Sequence, residues 1–237
     1  MRLQRLAVLV HKWLTLLVGI QILFWVASGL FFTLYPIEKI RSEDLIRPAA
    51  EAAPDLAAVG DLKGLRDASG RPPVKVTIER RAGADLILAN FADGPPVLFD
   101  AGTLRKLSPL DGATAARIAR DHVTLGEPPI GVQRITAESA EYKGALPAWR
   151  VQFRKAGLSV YVAEDTGVVT ARRSDLWRAY DTLWALHIMD WRNHENFNHP
   201  LIIVTTGITL ISVIAGLVLL PFRIRFRRSG PARGPAA

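Results

Sequence analysis

The 237-residue sequence contains no cysteine and only two methionines. Without cysteine, the chain can form no disulfide, no cysteine-ligated iron–sulfur cluster and no covalent c-type haem attachment. Any redox cofactor must therefore be held by histidine, by methionine or by noncovalent contacts. The sequence also lacks the HExxH zinc motif and the GxSxG nucleophile elbow. Peptidase or other hydrolase activity is therefore not expected, and an oxidoreductase role stays open.

Two long stretches of the sequence lack any formal charge. They are WLTLLVGIQILFWVASGLFFTLY at residues 13–35 and LIIVTTGITLISVIAGLVLL at residues 201–220. Each is long enough to cross roughly 30 Å of hydrocarbon as a helix, which satisfies its own backbone in lipid. The first run is also longer than the roughly 7–15 apolar residues of a cleaved signal peptide. We therefore predict two transmembrane helices, at residues 13–35 and 200–221.

Acidic residues are absent from both ends of the chain. Eight cations stand there unopposed: Arg2, Arg5, Lys12, Arg223, Arg225, Arg227, Arg228 and Arg233. They equal the whole formal net charge of +8. Because lysine and arginine accumulate on the cytoplasmic side of a membrane, residues 1–12 and the basic tail 222–237 are predicted to be cytoplasmic. Residues 36–199 are then periplasmic, and the protein belongs in a bacterial inner membrane. A nucleic-acid partner is not expected, since these cations are not gathered on a folded domain.

The segment between the spans reads as a repeat of one helix followed by antiparallel strands. The first repeat begins with PDLAAVGDLKGLRDAS (54–69) and continues with VKVTIER, DLILAN and VLFDAGTLRKLSPL. The second begins with DGATAARIARDHV (111–123) and continues with GVQRITAES, AWRVQF and LSVYVAEDTGVVTARR. Alternation of apolar and polar residues in VKVTIE and WRVQF predicts sheets with one buried face. The predicted fold class is therefore α+β, with two transmembrane helices flanking the repeats.

The second repeat resembles a known type of domain. YVAEDTGVVTARR, preceded by ATAARIARDHV and AWRVQF, is similar to a PepSY domain. The opening HKWLTLLVGIQILFWVASGLFF and the closing HPLIIVTTGITLISVIAGLVLLP resemble the spans of PepSY-associated transmembrane proteins, also called iron-regulated membrane proteins. The resemblance implies a periplasmic PepSY-like domain at residues 36–173.

What the PepSY resemblance implies about function is limited. PepSY domains resemble parts of thermolysin-type propeptides and are associated with peptidase inhibition. Larger membrane relatives with four helices include haem-carrying reductases linked to the release of iron from siderophores. This chain has two predicted spans, so the reductase role does not carry over directly.

Residues 174–199 carry a stripe of rings before the second span. Trp177, Trp184 and Trp191 recur every seven residues, and Tyr180 and His187 each follow a tryptophan by three. A helix from about residue 174 to residue 189 places most of these rings on one face. One interpretation is an interfacial aromatic helix at the membrane surface, where tryptophan and tyrosine are favoured. The other is a wall for haem, quinone or a siderophore, with His187 as its polar contact.

Haem b is the cofactor that the histidine pattern allows. His11 lies at the predicted cytoplasmic end of the first span, whereas His187 and His199 lie at the outer end of the second. These ends are roughly 30 Å apart, so His11 cannot share an iron with the others in one protomer. The candidate haem ligands are, in order, His187, His199 and His11. Trp184 and Tyr180 are the candidate rings that would sandwich a flat macrocycle.

A weaker candidate metal site lies in the connector before the second span. In a continuous helix, Glu195 and His199 would stand four residues apart, as would Asp190 and His194. Such pairs can ligate zinc or iron, which makes His194 and Glu195 candidate ligands. However, Pro200 is a natural first residue of a new helix. The alternative interpretation of this stretch is therefore a polar connection.

Two functions follow as expectations from the motifs. The first is an accessory or electron-transfer component of iron and siderophore handling. The second is a non-catalytic periplasmic binding or regulatory module that engages another envelope protein. Ser212 and Gly216, four residues apart, are typical of close helix–helix contacts in lipid. Since two lone helices bury little against each other, a homodimer or a partner membrane protein is expected in the bilayer.

The charge distribution makes a prediction about topology. Reporter fusions inserted at Gly70 and after Ala237 should report opposite sides of the membrane, because the unopposed cations hold the chain ends in the cytoplasm. An alkaline phosphatase and a fluorescent-protein reporter at each position provide the measurement. If both positions report the same compartment, the two-span interpretation is wrong.

Overall fold

The computed structural model of the chain describes residues 2–48, 53–67, 69–81 and 83–223. The protein divides into two compact units. The helical unit comprises residues 1–31 and 183–237, and the sheet unit comprises residues 32–182. The predicted basic tail lies outside the described residues from position 224 onward.

The helical unit contains two long apolar helices. α1 covers Arg2–Leu34 and α5 covers Pro200–Arg223. The segments Arg5–Leu34 and Pro200–Pro221 are long and apolar enough to cross a membrane. α1 therefore begins eleven residues before Trp13, where the charge-free run starts, while α5 begins at the predicted Pro200. The two helices expose large apolar side chains along most of their length, which suits a surrounding of lipid or of other apolar helices.

α1 and α5 contact each other at His11. The ring nitrogen Nδ1 of His11 lies 2.8 Å from the carbonyl oxygen of Ser212. A Cβ atom on Gly216 would lie 2.9 Å from the His11 ring, so only glycine fits there without a shift. The small residues Ser212 and Gly216 thus form a close helix contact, as their spacing predicts. The group that packs against them is the imidazole ring of His11.

The first part of the sheet unit is an antiparallel three-stranded sheet. Its strands are β1 (Lys75–Arg81), β2 (Ala84–Asn90) and β3 (Val97–Asp100), in the order β1-β2-β3. One face buries the fully enclosed side chains of Ile87 and Ala89 together with Leu65. A short helix, α2 (Ile37–Ile40), precedes this sheet.

The second part of the sheet unit is a four-stranded antiparallel sheet with one helix on its face. The elements are α3 (Gly112–His122), β4 (Gly131–Ile135), β5 (Ala148–Gln152), β6 (Ser159–Ala163) and β7 (Val169–Arg173), and the strand order is β4-β5-β6-β7. Asp111 starts α3 by accepting a hydrogen bond from the Thr114 amide at 2.7 Å, as is usual for a helix N-cap. Ala115 and Ala119 are fully buried. Their small side chains let α3 pack closely on the valines of the sheet.

The prediction of a helix at residues 54–69 is wrong. The described residues of that segment form two short 3₁₀ turns, Leu56–Ala58 and Leu62–Gly64. Asp55 and Asp61 each accept a hydrogen bond from the amide two residues ahead, which favours a turn over a continuing helix. The two sheets match the strands of the two predicted repeats, but only the second repeat has its helix. The α+β class is confirmed.

The aromatic helix forms close to its predicted bounds. α4 covers Asp175–Ile188, and the Ser174 hydroxyl accepts a hydrogen bond from the Trp177 amide at 3.2 Å. Met189 has a φ of 59°, and this left-handed conformation ends the helix. The seven-residue tryptophan repeat therefore extends beyond the end of the helix, because Trp191 lies in the connector.

Candidate functional site

The C-terminal end of α4 is capped by side chains from other helices of the helical unit. A helix leaves its last carbonyl groups without partners inside the helix. Three donors supply them: Gln21 Nε2 to Leu186 O at 2.9 Å, Trp25 Nε1 to His187 O at 2.6 Å, and His199 Nε2 to Ile188 O at 3.1 Å. Each unpaired buried carbonyl would cost about 1–3 kcal/mol. This explains why polar groups occur in the apolar α1.

His187 is held at this helix end by a serine and two tryptophans, which together form the His187 cluster. Its Nδ1 lies 2.7 Å from the Ser28 hydroxyl oxygen, and Ser28 is fully buried. The His187 ring lies parallel to the Trp184 ring, with centroids 6.2 Å apart. The Trp25 ring lies on another side, with a centroid distance of 6.5 Å.

The hydrogen bonds of Ser28 assign the protonated nitrogen of His187. The Ser28 hydroxyl lies 2.6 Å from the Phe24 carbonyl, and a carbonyl can only accept. The single hydroxyl proton is therefore donated to Phe24, and toward His187 the oxygen must accept. Nδ1 of His187 then carries the proton, and Nε2 carries the lone pair. Burial lowers the pKa of His187, so the imidazole is neutral at pH 7.

The other two candidate haem ligands differ from His187. The carbonyl of Ile188 accepts from Nε2 of His199, so Nε2 of His199 carries its proton. The Nδ1 atom of His11 donates to the Ser212 carbonyl. Along α1, His11 and Ser28 are 17 residues apart, which is about 25 Å. His11 therefore lies far from the His187 cluster.

The candidate sandwich rings, Trp184 and Tyr180, contact different partners. Trp184 belongs to the helical unit, stacks on His187 and donates its Nε1 proton to the His194 carbonyl at 3.1 Å. Tyr180 belongs to the sheet unit, where its ring lies 4.9 Å from the Phe32 ring. Sequence reasoning did not single out Trp25 as a site residue. Its spacing of four from Gln21 and three from Ser28 on one helix was the available signal.

The connector between α4 and α5 is organised by Asp190. The Asp190 carboxylate accepts from four backbone amides, those of Arg192, Asn193, Glu195 and Asn196. These bonds lower the pKa of Asp190 strongly. The connector is not helical, so neither Glu195 and His199 nor Asp190 and His194 share a helical turn. Within the described ranges, no group of three or more histidine, cysteine, aspartate or glutamate side chains is arranged for a metal ion.

The sheet unit holds a second polar site, the Glu141 cluster. The Glu141 carboxylate accepts from Arg178 Nε at 2.8 Å and Nη2 at 3.1 Å, and from the Tyr161 hydroxyl at 3.2 Å. Arg150 Nη2 lies 3.6 Å from the same carboxylate. The Tyr161 ring is stacked on the Tyr142 ring, with centroids 4.5 Å apart. Sequence patterns do not indicate this cluster, since its members come from four separate segments.

The pKa values of Glu141 and Tyr161 are both shifted further from neutral pH. The hydrogen bond from Arg178 lowers the pKa of Glu141, and burial offsets this only in part. Burial raises the pKa of the Tyr161 phenol to about 12. A general acid or base works best with a pKa near the operating pH. The cluster is therefore suited to hold charges in fixed places and not to transfer protons.

An open cleft of about 490 Å³ adjoins the Glu141 cluster. It is lined by residues 133–137, by residues 139–141, and by Arg150 and Tyr161. The first range is the end of β4 and the residues that follow it. The cleft therefore places the end of β4 beside a charged group.

The Glu141 cluster makes the sheet unit sensitive to acid. Because the pKa of Glu141 is lowered on folding, its stabilisation is complete above the ordinary value of 4.5 and is lost as the pH falls toward the folded-state value. Glu141→Gln should lower the free energy of unfolding at pH 7 by about 1–3 kcal/mol, and the difference from wild type should shrink below pH 4.5.

Denaturant titrations of the purified protein between pH 3 and pH 7 measure this effect. Glu138→Gln, an exposed carboxylate three residues away, is the matched control and should change stability by less than about 0.5 kcal/mol. A Glu141→Gln effect that is equal at pH 3 and pH 7 would contradict the assignment.

Comparison of the chain with protein-family models, with curated proteins and with solved structures finds no match in any of the three. The resemblance to PepSY proteins therefore stays a prediction from the sequence motifs.

Proposed function

We propose that this chain is a two-pass inner-membrane protein of the PepSY type whose periplasmic domain is a non-catalytic binding or regulatory module. In this role it engages another envelope protein and serves as an accessory in iron or siderophore handling. Two membrane helices anchor the module to the membrane, with both chain ends in the cytoplasm. The exposed apolar faces of α1 and α5 contact lipid, a second copy of the chain or a partner membrane protein.

The observation that carries this proposal is the cleft beside the Glu141 cluster. It combines an accessible strand end with charged groups that hydrogen bonds keep in place. The pKa of Glu141 is lowered and that of Tyr161 is raised, so each keeps one protonation state at neutral pH. Fixed charges with accessible backbone favour recognition of a partner over acid–base chemistry.

Site-specific photo-crosslinking tests the module. A photoreactive residue at Ser139, beside the cleft, should yield a discrete adduct with one envelope protein, and iron limitation should strengthen it. A photoreactive residue at Arg120, exposed on α3, is the matched control and should not yield that adduct. Equal adducts from both positions, or none from Ser139, would count against a binding module.

A second function, electron transfer through haem b, is favoured by one observation in the His187 cluster. Ser28 keeps the proton on Nδ1 of His187, and a haem-ligating histidine commonly binds iron through Nε2 while its other nitrogen donates a hydrogen bond. Bound haem would supply one-electron chemistry. Trp184 and Trp25 lie beside His187, and a second ligand would come from another copy or a partner. The protonated Nδ1 of His187 fits this requirement, and His199 donates from its Nε2 to the Ile188 carbonyl.

An absorption spectrum distinguishes the two functions. Purified protein in detergent should show a Soret band that shifts on reduction if haem is bound, and no such band if the chain is only a module. If the band is present, His187→Ala should abolish or shift it, because the axial ligand sets the electronic state of the iron. His199→Ala and His11→Ala are the matched histidine controls and should leave haem content per protein unchanged. Unchanged haem content in all three variants would contradict ligation by this chain.

A further inference from the structure

The strand β4 has an open edge. It pairs with β5 on one side, and no strand of the described ranges pairs with its other side. Val132, Gln133 and Arg134 at its centre are all exposed. An open edge presents a row of backbone donors and acceptors with which an extended segment can pair.

The cleft continues directly from this open edge. Residues 133–137 form one wall, so the end of β4 borders the cleft. Gln133 lies opposite Arg150 in the strand register, and side chains of directly opposite residues lie on the same face of a sheet. A strand added to β4 would lie about 4.8 Å outward from it. A long side chain on that added strand would reach over Gln133 toward Arg150.

Arg150 is the cation of the cleft whose ion pair is the longer one. Its Nε donates to the Ser159 hydroxyl at 3.2 Å, while its contact with Glu141 is long, at 3.6 Å. Glu141 is already bound by Arg178 at 2.8 Å. A guanidinium has five N–H donors, and these contacts use few of them. The other cation of the wall, Arg134, is already paired through two hydrogen bonds with Glu164.

We propose that the edge of β4 and the Arg150 cleft bind an extended acidic segment of a partner protein, which adds a strand to β4 and places a carboxylate on Arg150. The inference rests on the proposed binding module and names the site and the chemistry of its partner. The backbone pairing supplies affinity that is independent of sequence, and the carboxylate on Arg150 supplies specificity.

The experiment uses the full-length protein in lipid nanodiscs. The probe is a pool of heptapeptides with valine at positions two and six, glutamate at position four and random residues elsewhere. The peptide that is most enriched is resynthesised in three forms: unchanged, with glutamine in place of glutamate, and with alternate backbone amides N-methylated. Dissociation constants are measured for wild type, for Arg150→Gln and for Arg120→Gln, an exposed arginine on α3 that serves as the matched control.

The expected result is that peptide binding weakens when either the peptide glutamate or Arg150 is replaced. The glutamine form should bind wild type at least about tenfold more weakly, because a charge-assisted hydrogen bond is lost. Arg150→Gln should weaken the glutamate form by a similar factor and should then hardly distinguish glutamate from glutamine. N-methylation should also weaken binding at least about tenfold, since backbone pairing is lost. Arg120→Gln should behave as wild type.

Several outcomes would overturn the inference. These are no enrichment from the pool, equal binding of the N-methylated form, and equal discrimination between glutamate and glutamine by Arg150→Gln. Competition by free glutamate at the same concentration as the peptide would assign a small-carboxylate site and would also overturn it. Arg150→Lys, which keeps the charge, should retain most of the binding of the acidic form. This variant shows whether the loss of binding in Arg150→Gln comes from the missing charge or from a folding defect.

Failure of this site and failure of the module give different results. If the Ser139 crosslink to an envelope protein persists unchanged in Arg150→Gln, the module stands and the β4 site is wrong. If the acidic peptide binds through Arg150 but no envelope protein is crosslinked, the site stands and the proposed partner role is wrong.

Discussion

The end of α4 must satisfy its backbone carbonyls among apolar helices, and the helical unit is organised around that constraint. Water normally hydrates the last carbonyls of a helix, but an apolar surrounding offers none. Gln21 and Trp25 donate to two of these carbonyls from α1, and His199 donates to a third from the start of α5. One requirement thus accounts for polar residues on two helices and fixes where the chain turns from α4 into α5.

The same constraint places His187 where its tautomer and its charge are fixed. Because Ser28 donates its proton to Phe24, the serine oxygen accepts from Nδ1 of His187. Burial among tryptophan rings keeps the imidazole neutral. A neutral imidazole with an assigned tautomer packs well in an apolar site, and it is also the form that ligates a metal. The structural role of His187 and its proposed ligand role therefore require the same arrangement.

The sheet unit handles its polar groups in a different way. Around Glu141, the guanidinium of Arg178 neutralises the carboxylate through a hydrogen bond of 2.8 Å, and the neutral Tyr161 hydroxyl donates another at 3.2 Å. Such a network is stable when it is fully paired. It leaves Arg150 beside the open strand β4 with its charge less closely paired. A partner that binds in the cleft would use N–H donors that Arg150 already offers. The charged groups of the cleft therefore need not rearrange on binding.

The sequence by itself determined the elements with strong local signals. The two apolar helices, the capped helix α3, the strands of both repeats and the aromatic helix α4 all follow from hydrophobic runs, alternation and capping residues. The helix expected at residues 54–69 failed because Asp55 and Asp61 favour turns. Tertiary structure alone decided the sites. Gln21 meets Leu186, and Trp25 and Ser28 meet His187, across about 160 residues of sequence, and Glu141 meets Arg178 across 37. Local patterns report the face on which a side chain lies, but a hydrogen bond between distant segments depends on how the whole chain packs.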